Sequence, residues 1–253
     1  MLNALQDVIL ILLTVSFSLL LMIALNRFWP REKRKVHNDL IGWQLNILGT
    51  TYAVIIGFML YTVWTDFGTA SLNVDAEANA ALNINRLAAG LPAVQGAELR
   101  QLSYAYATAV VEREWPMMAR GEISTESNQL SRKMWQTLMS VKAASPAEIT
   151  AEDHALYELS ALTEHRQIRQ LQATFHLPAI LWCVLLIGGA VTLASACMFG
   201  QENTMLHGLQ VFAFSLLVAL VLVAVADIDK PFQGGVHVSD SAFQRARMNM
   251  QVP

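Results

Sequence analysis

Four long apolar runs dominate the pattern of the chain: Val8 to Phe28, Ile41 to Trp64, Leu177 to Phe199 and Met205 to Ala226. Crossing a hydrocarbon core about 30 Å thick takes about 20 apolar residues at the helical rise, so each run is long enough to be a membrane span. Between the second and third runs apolar positions recur every three to four residues among polar ones, a helical period, and strand signals are few. Asp66 to Ala89 follows Trp64 without any Gly-Pro punctuation, which predicts that the second span continues as one long helix to the breaker "AGLPAVQG". A further helix is expected over Ala97 to Ala119, bent or ended near Pro116 and Gly121, and another over Thr125 to Ala143. "SPAE" then reads as a capping box, with Ser145 as N-cap, Pro146 in the first turn and Glu148 reaching back. The helix it opens is expected to run to Phe175 and, past "HLP", to feed the third span.

These elements predict an all-α membrane protein: four transmembrane helices with a helical bundle inserted between spans two and three. The expected divisions are 1–64 for the first two spans and their loop, 65–176 for the bundle, 177–226 for the last two spans and 227–253 for a tail. In the tail, Asp229, Pro231 and Phe232 stop the fourth span and turn the chain. "GVHV" then reads as extended, and a short amphipathic helix restarts at Ser239. If the first and last bundle helices are continuous with spans two and three, movement passes mechanically from the bundle to the membrane.

Composition agrees with the pattern. The chain of 253 residues is 54% hydrophobic and 15% charged, too apolar for an ordinary soluble domain. The first run lacks a cationic leader, exceeds a signal-peptide core in length and is followed by a basic block, so it reads as a retained span.

Charge sets the expected direction. "RFWPREKRK" carries Arg27, Arg31, Lys33, Arg34 and Lys35 against Glu32, and short basic loops stay on the cytoplasmic side. The 65–176 segment holds nine Lys and Arg against thirteen Asp and Glu, so it exerts no competing pull. The N-terminus, the bundle and the C-terminus are therefore expected on the periplasmic or outer side. Phe28, Trp29, Trp43, Tyr61, Trp64 and Trp182 fall at span edges, where amphipathic rings favour the headgroup zone.

Candidate chemistry is sparse. No run carries Asp, Glu, Lys or Arg at membrane depth, which argues against a proton-coupled pump or an intramembrane aspartyl protease. Cys183 and Cys197 both lie in the third span and read as small packing residues. His154, Glu158 and His165 share a helical face, but His165 lies about 16 Å beyond His154, too far for one metal. No nucleotide-binding, hydrolase or metalloprotease motif occurs, no basic stripe suits nucleic acid, and no cofactor or enzyme activity is expected.

The second span is distinctive. Gly42, Asn46, Gly49, Thr50, Ala53, Gly57 and Tyr61 form a small, polar stripe down an apolar helix. Small residues let helices pack closely, and identical stripes about a symmetry axis can also line an ion path. The pattern alone leaves both open.

"YAVIIGFMLYTVWTDFGTASLNVDAEANAALNINRLAAGLP", "EWPMMARGE" and "DKPFQGGVHVSDSAF", spanning Tyr52 to Phe243, resemble the bestrophin-like membrane protein family of bacteria. The resemblance implies a four-span protein of the bacterial inner membrane with a helical insert between spans two and three. Its distant relatives, the bestrophins, are pentameric anion channels whose second span lines the pore and whose fourth is followed by a Pro-Phe turn, as at Pro231 and Phe232 here. Two departures stand out: no recognisable run of Ile and Phe at a pore neck, and no acidic calcium clasp. Bestrophins also place their insert in the cytoplasm, opposite to the loop charges here.

The resulting expectation is a homo-oligomer in the lipid bilayer that passes monovalent ions along a pore lined by Asn46, Thr50, Ala53 and Gly57. Asp66, Asp75 and Glu77 would set the potential at its mouth. The alternative is a non-conducting scaffold or sensor whose bundle binds a partner, with the stripe serving as packing.

Overall fold

The computed structural model describes residues 4–122 and 124–251. Ten α-helices account for most of them: α1 (Ala4–Phe28), α2 (Arg31–Lys35), α3 (Asn38–Leu87), α4 (Ala93–Ala109), α5 (Trp115–Met118), α6 (Glu126–Met139), α7 (Pro146–Thr174), α8 (Ala179–Cys197), α9 (Thr204–Ile228) and α10 (Ser241–Met250). Among the described residues there is no strand, so "GVHV" makes no sheet. Four helices, α1, α3, α8 and α9, are long and apolar enough to cross a membrane.

The chain divides into two compact units. The first comprises residues up to Thr65 together with His176–Asp229. In it α1 packs along α8 and α9, and Tyr52, Leu193 and Val218 form one buried cluster while Val63, Leu185 and Val225 form another. Arg34, on the basic loop, is fully buried and donates through Nη1 to the Cys197 carbonyl at 3.1 Å, capping the end of α8. Beside it Asn38 and Gly200 exchange two hydrogen bonds, at 2.9 and 3.1 Å. Part of the basic run therefore builds the fold.

The second unit comprises Asp66–Phe175 and the chain from Lys230 onward. The segment after residue 229, expected as a tail of its own, instead supplies core: Phe232 and Phe243 are buried, and Phe232 meets Trp115 edge-to-face at 5.7 Å. Pro231 holds the turn, its carbonyl accepting from the Val238 N–H at 2.7 Å. Asp229 closes α9 in the first unit, where its carboxylate accepts from the Leu177 N–H at 2.8 Å.

Local signals explain most boundaries. The Ser145 capping box is formed in full, with Ser145 Oγ accepting from Glu148 N–H and the Glu148 carboxylate accepting from Ser145 N–H. Such a cap contributes about 1 kcal/mol. α3 runs unbroken for 50 residues, about 75 Å at 1.5 Å per residue. The expected passage from α7 into the third span is broken instead: Phe175 is extended and α8 starts only after Pro178. Proline lacks the N–H that would continue the ladder and drives the preceding residue from helical angles. Between α4 and α5 the backbone widens into a π-helical turn at Val110–Glu114, just before Pro116. That turn absorbs the missing proline N–H without ending the helix. Gly121 then supplies the left-handed angle, φ +76°, that closes the turn after α5. α10 begins at Ser241, two residues after the expected start, and the Ser239 hydroxyl accepts from the Ser241 N–H at 3.1 Å.

Candidate functional site

The stripe on α3 lies on the outside of the first unit. Asn46, Thr50, Ala53 and Gly57 are all exposed, and Tyr61 keeps 69% of its surface free. A methyl group added at Gly49 or Gly57 would meet nothing within 4 Å, so neither glycine supports a close helix contact inside the protomer. Gly42 differs, with the Phe199 ring 3.6 Å from where its Cβ would stand.

What turns the stripe outward sits on the other side of the helix. Tyr52 is buried, and its ring fills a notch made by Gly188 and Gly189 of α8. A Cβ at either glycine would lie 2.9 Å from the tyrosine, closer than packed carbons approach, so only glycine admits the ring. Tyr52 thereby fixes the rotation of α3 within this unit, and the face bearing the small and polar residues is left without a neighbour in the protomer.

The three acidic mouth candidates do not share a fate. Asp66 is exposed. Asp75 is paired with Arg245 at 3.2 Å at the surface. Glu77 is corrected outright: it is fully buried, so its charge is spent in the core of the second unit and faces no solvent. Nine residues separate Asp66 from Asp75, about two and a half helical turns, so those two point to opposite sides of α3.

The core around Glu77 is an ion network that the sequence reading missed. Arg169, also fully buried, grips Glu77 with two parallel bonds, Nε to Oε2 at 2.6 Å and Nη2 to Oε1 at 2.9 Å, and reaches Glu114 Oε2 at 2.7 Å. Tyr106 donates to Glu77 Oε1 at 2.6 Å. Arg166 donates to Ser127 at 2.8 Å and to Glu114 at 3.3 Å, and Ser127 also donates to Glu114. The Arg169 guanidinium lies 5.7 Å from the Trp115 ring centre. Two cations balance two anions, and the π-helical turn delivers Glu114 to them.

Electrostatics follow from burial and pairing. Burial pushes the Glu114 carboxyl up, but the charges of Arg169 and Arg166 and the Ser127 hydrogen bond outweigh it and hold the group below the usual carboxylate range. Burial disfavours the Arg169 charge, and Glu77 and Glu114 more than restore it, leaving the guanidinium well above its ordinary value. Burial, then the neighbouring Glu77 charge, raises the Tyr106 phenol well above 10.

A readable signal for this network exists. Ala155, Leu159, Leu162, Arg166 and Arg169 recur every three to four residues on α7, so the two arginines continue an apolar face. Ala70, Val74, Glu77, Ala81 and Ile84 do the same on α3. A charge embedded in such a stripe is a buried charge, and buried charges are paired.

On the face that carries His154, Glu158 and His165, two of the three side chains have polar partners. Glu158 accepts from the Asn83 amide at 3.1 Å, and His165 Nδ1 lies 2.8 Å from Asn73 Oδ1. Among the described residues no cluster of three or more His, Cys, Asp or Glu could hold a metal ion.

A family model for the bestrophin-like domain matches residues 12–243, nearly the whole chain. The chain belongs to the bestrophin-like family. The fold comparison agrees. A bacterial bestrophin homologue from Klebsiella pneumoniae carrying the mutation I180T superposes with a TM-score of 0.73 at 14% identity, over 97% of this chain and 99% of that one. The same homologue with L177T gives 0.71 at 14% identity over 97% of each chain, and a membrane protein carrying P143A gives 0.71 at 12% identity over 97% of each. At such identities the likeness is one of fold. No curated protein matches.

Proposed function

We propose that this bestrophin-like protein is a homo-oligomeric ion channel of the bacterial plasma membrane, with α3 facing the conduction path through Asn46, Thr50, Ala53 and Gly57. One observation carries the reading. The small and polar face of α3 is exposed, with open space beside Gly49 and Gly57, whereas its opposite flank is locked to α8 through Tyr52. A face this polar in a membrane-length helix needs either water or a partner. Copies arranged about an axis supply both: small residues let the helices approach, and the Asn46 amide and Thr50 hydroxyl replace part of an ion's hydration shell.

Asp66 and Asp75 are the remaining acidic candidates for the field at the mouth, and because they point to opposite sides of α3 only one of them faces the axis. They favour cations, Asp75 less so while Arg245 offsets it. The basic loop faces the cytoplasm on this reading. Asp229, Pro231 and Phe232 act as a structural turn that anchors the end of α9 and the start of the tail, not as part of the path.

The direct test is cysteine scanning of α3 in a background lacking Cys183 and Cys197. Cysteines at positions 46, 50, 53 and 57 should react with a charged, water-soluble thiol reagent. A cysteine at Val54 or Phe58, exposed on neighbouring faces, should not. Equal protection of all six positions would sink the pore reading and leave the stripe as a packing surface.

A further inference from the structure

A groove of about 300 Å³ opens on the first unit between α1 and α8, lined by Leu13, Phe17, Leu21, Leu186, Ala190 and Leu193 among others. Its hydroxyls are spent: Thr14 donates to the Leu10 carbonyl and Ser18 to the Thr14 carbonyl, each at 2.9 Å. The groove therefore offers a ligand no free hydrogen-bond donor from these hydroxyls, and its wall is mostly apolar.

One end of the groove approaches the basic loop. Ala194, a lining residue, precedes Cys197 by three positions, about 4.5 Å along α8. The Cys197 carbonyl is the one that Arg34 caps, so α2 is pinned at that end of the groove. On α1, Leu21 precedes Arg27 by six positions, about 9 Å of helical rise.

The cations of the loop are divided in their duties. Arg34 is buried, and Lys35 is paired with Glu202. Arg27, Arg31 and Lys33 form no ion pair among the described residues, and Arg27 and Lys33 are exposed. Glu32 and Asp39 are the exposed acids nearby, too few to cancel them. Phe28, 85% exposed, stands beside these charges as an apolar contact for the headgroup zone.

We infer that the loop and groove together bind one anionic phospholipid, its phosphate on Arg27, Arg31 and Lys33 and one acyl chain in the α1–α8 groove. A juxtamembrane basic cluster draws anionic headgroups, and an apolar slot of this size suits a chain better than a free anion. A second copy of the protein would use the groove but leave the three cations unanswered. The lipid uses both.

The test is lipid retention by the full-length protein, read by native mass spectrometry after exchange into phosphatidylglycerol or phosphatidylcholine of identical chains. The parent should retain phosphatidylglycerol at least tenfold more strongly. The R27Q/R31Q/K33Q variant should erase that preference, and A190W, which fills the groove, should lower retention of both lipids. Because any variant could misfold, the parent is also measured from about 0.05 to about 0.5 M salt, where only phosphatidylglycerol retention should fall. Equal retention of the two lipids by the parent would overturn the assignment. So would loss of phosphatidylglycerol to excess inorganic phosphate, which would make the site one for a free anion. A groove that A190W fills without loss of lipid, but with loss of subunit association, would assign it to a second copy.

Discussion

Replacing Arg169 by Met removes the cation that holds Glu77 and Glu114 together while leaving a side chain of similar length among Met118 and Trp115. The parent network buries four charges, with both Arg169 and Glu77 wholly inaccessible. Breaking a buried pair by deleting one partner costs about 3–5 kcal/mol, mostly because the remaining charge is stranded. A carboxylate left unpaired in that core bears a desolvation cost of several kcal/mol. Glu114 keeps Arg166 and Ser127, so Glu77 carries most of the loss, with only the Tyr106 hydroxyl to steady it.

R169M should therefore lower the stability of the second unit by about 3–5 kcal/mol at pH 7. Urea unfolding of the full chain in detergent, followed by circular dichroism, reads that loss. The double variant R169M/E77L, which removes charge from both sides, should recover much of the loss. A deficit under about 1 kcal/mol, or a double variant no more stable than R169M, would refute the account of the network as mutually dependent charges.

Three further outcomes follow from the same geometry. Since the Glu114 carboxyl is held below its unfolded value, its contribution is fully present above the unfolded Glu value near 4.3 and is lost as pH falls through the lower folded one, so the parent should lose second-unit stability only below about pH 4. Circular dichroism across acid pH checks this, and loss between pH 7 and 5 would contradict it. The Tyr52 hydroxyl is buried without a hydrogen-bond partner, so Tyr52→Phe should leave thermal stability unchanged or raise it by up to about 1 kcal/mol. Gly188→Leu, which drives a side chain into the Tyr52 ring, should cost about 1–3 kcal/mol in the same melt, more than Gly57→Leu on the open face.

How much of this was legible in the sequence differs by element. Membrane spans announce themselves through length and apolarity, which need no partner to be read, and the Ser145 cap is a local exchange between residues three apart. The unbroken α3 was legible for the same reason, since nothing between Trp64 and Ala89 interrupts a helix. The break at Phe175–Pro178 was present in the letters and underweighted there: a proline after a Leu is a stop before it is a bend. The Glu77 network was harder. Its partner Arg169 lies 92 positions away, and an acid on a long helix looks solvated until its neighbours Val74 and Ala81 are seen to form a buried stripe.

For the α3 stripe, the sequence offered two uses for small and polar residues in a membrane helix, packing and pore. The protomer removes one form of packing, because Asn46, Thr50, Ala53 and Gly57 touch none of the first unit's helices closely enough to be buried. Contact between copies remains the counterpart to conduction, and spacing along one helix carries no information on symmetry.

Ion flux through the purified protein in liposomes addresses the central claim most directly, with separate chloride and potassium gradients imposed on the parent and on Thr50→Trp. Dissipation of at least one gradient by the parent, abolished by the bulky residue while the variant keeps its fold and subunit count, is the predicted result. Parent vesicles that hold both gradients, or a Thr50→Trp variant that conducts as the parent does, would contradict a path lined by this face of α3.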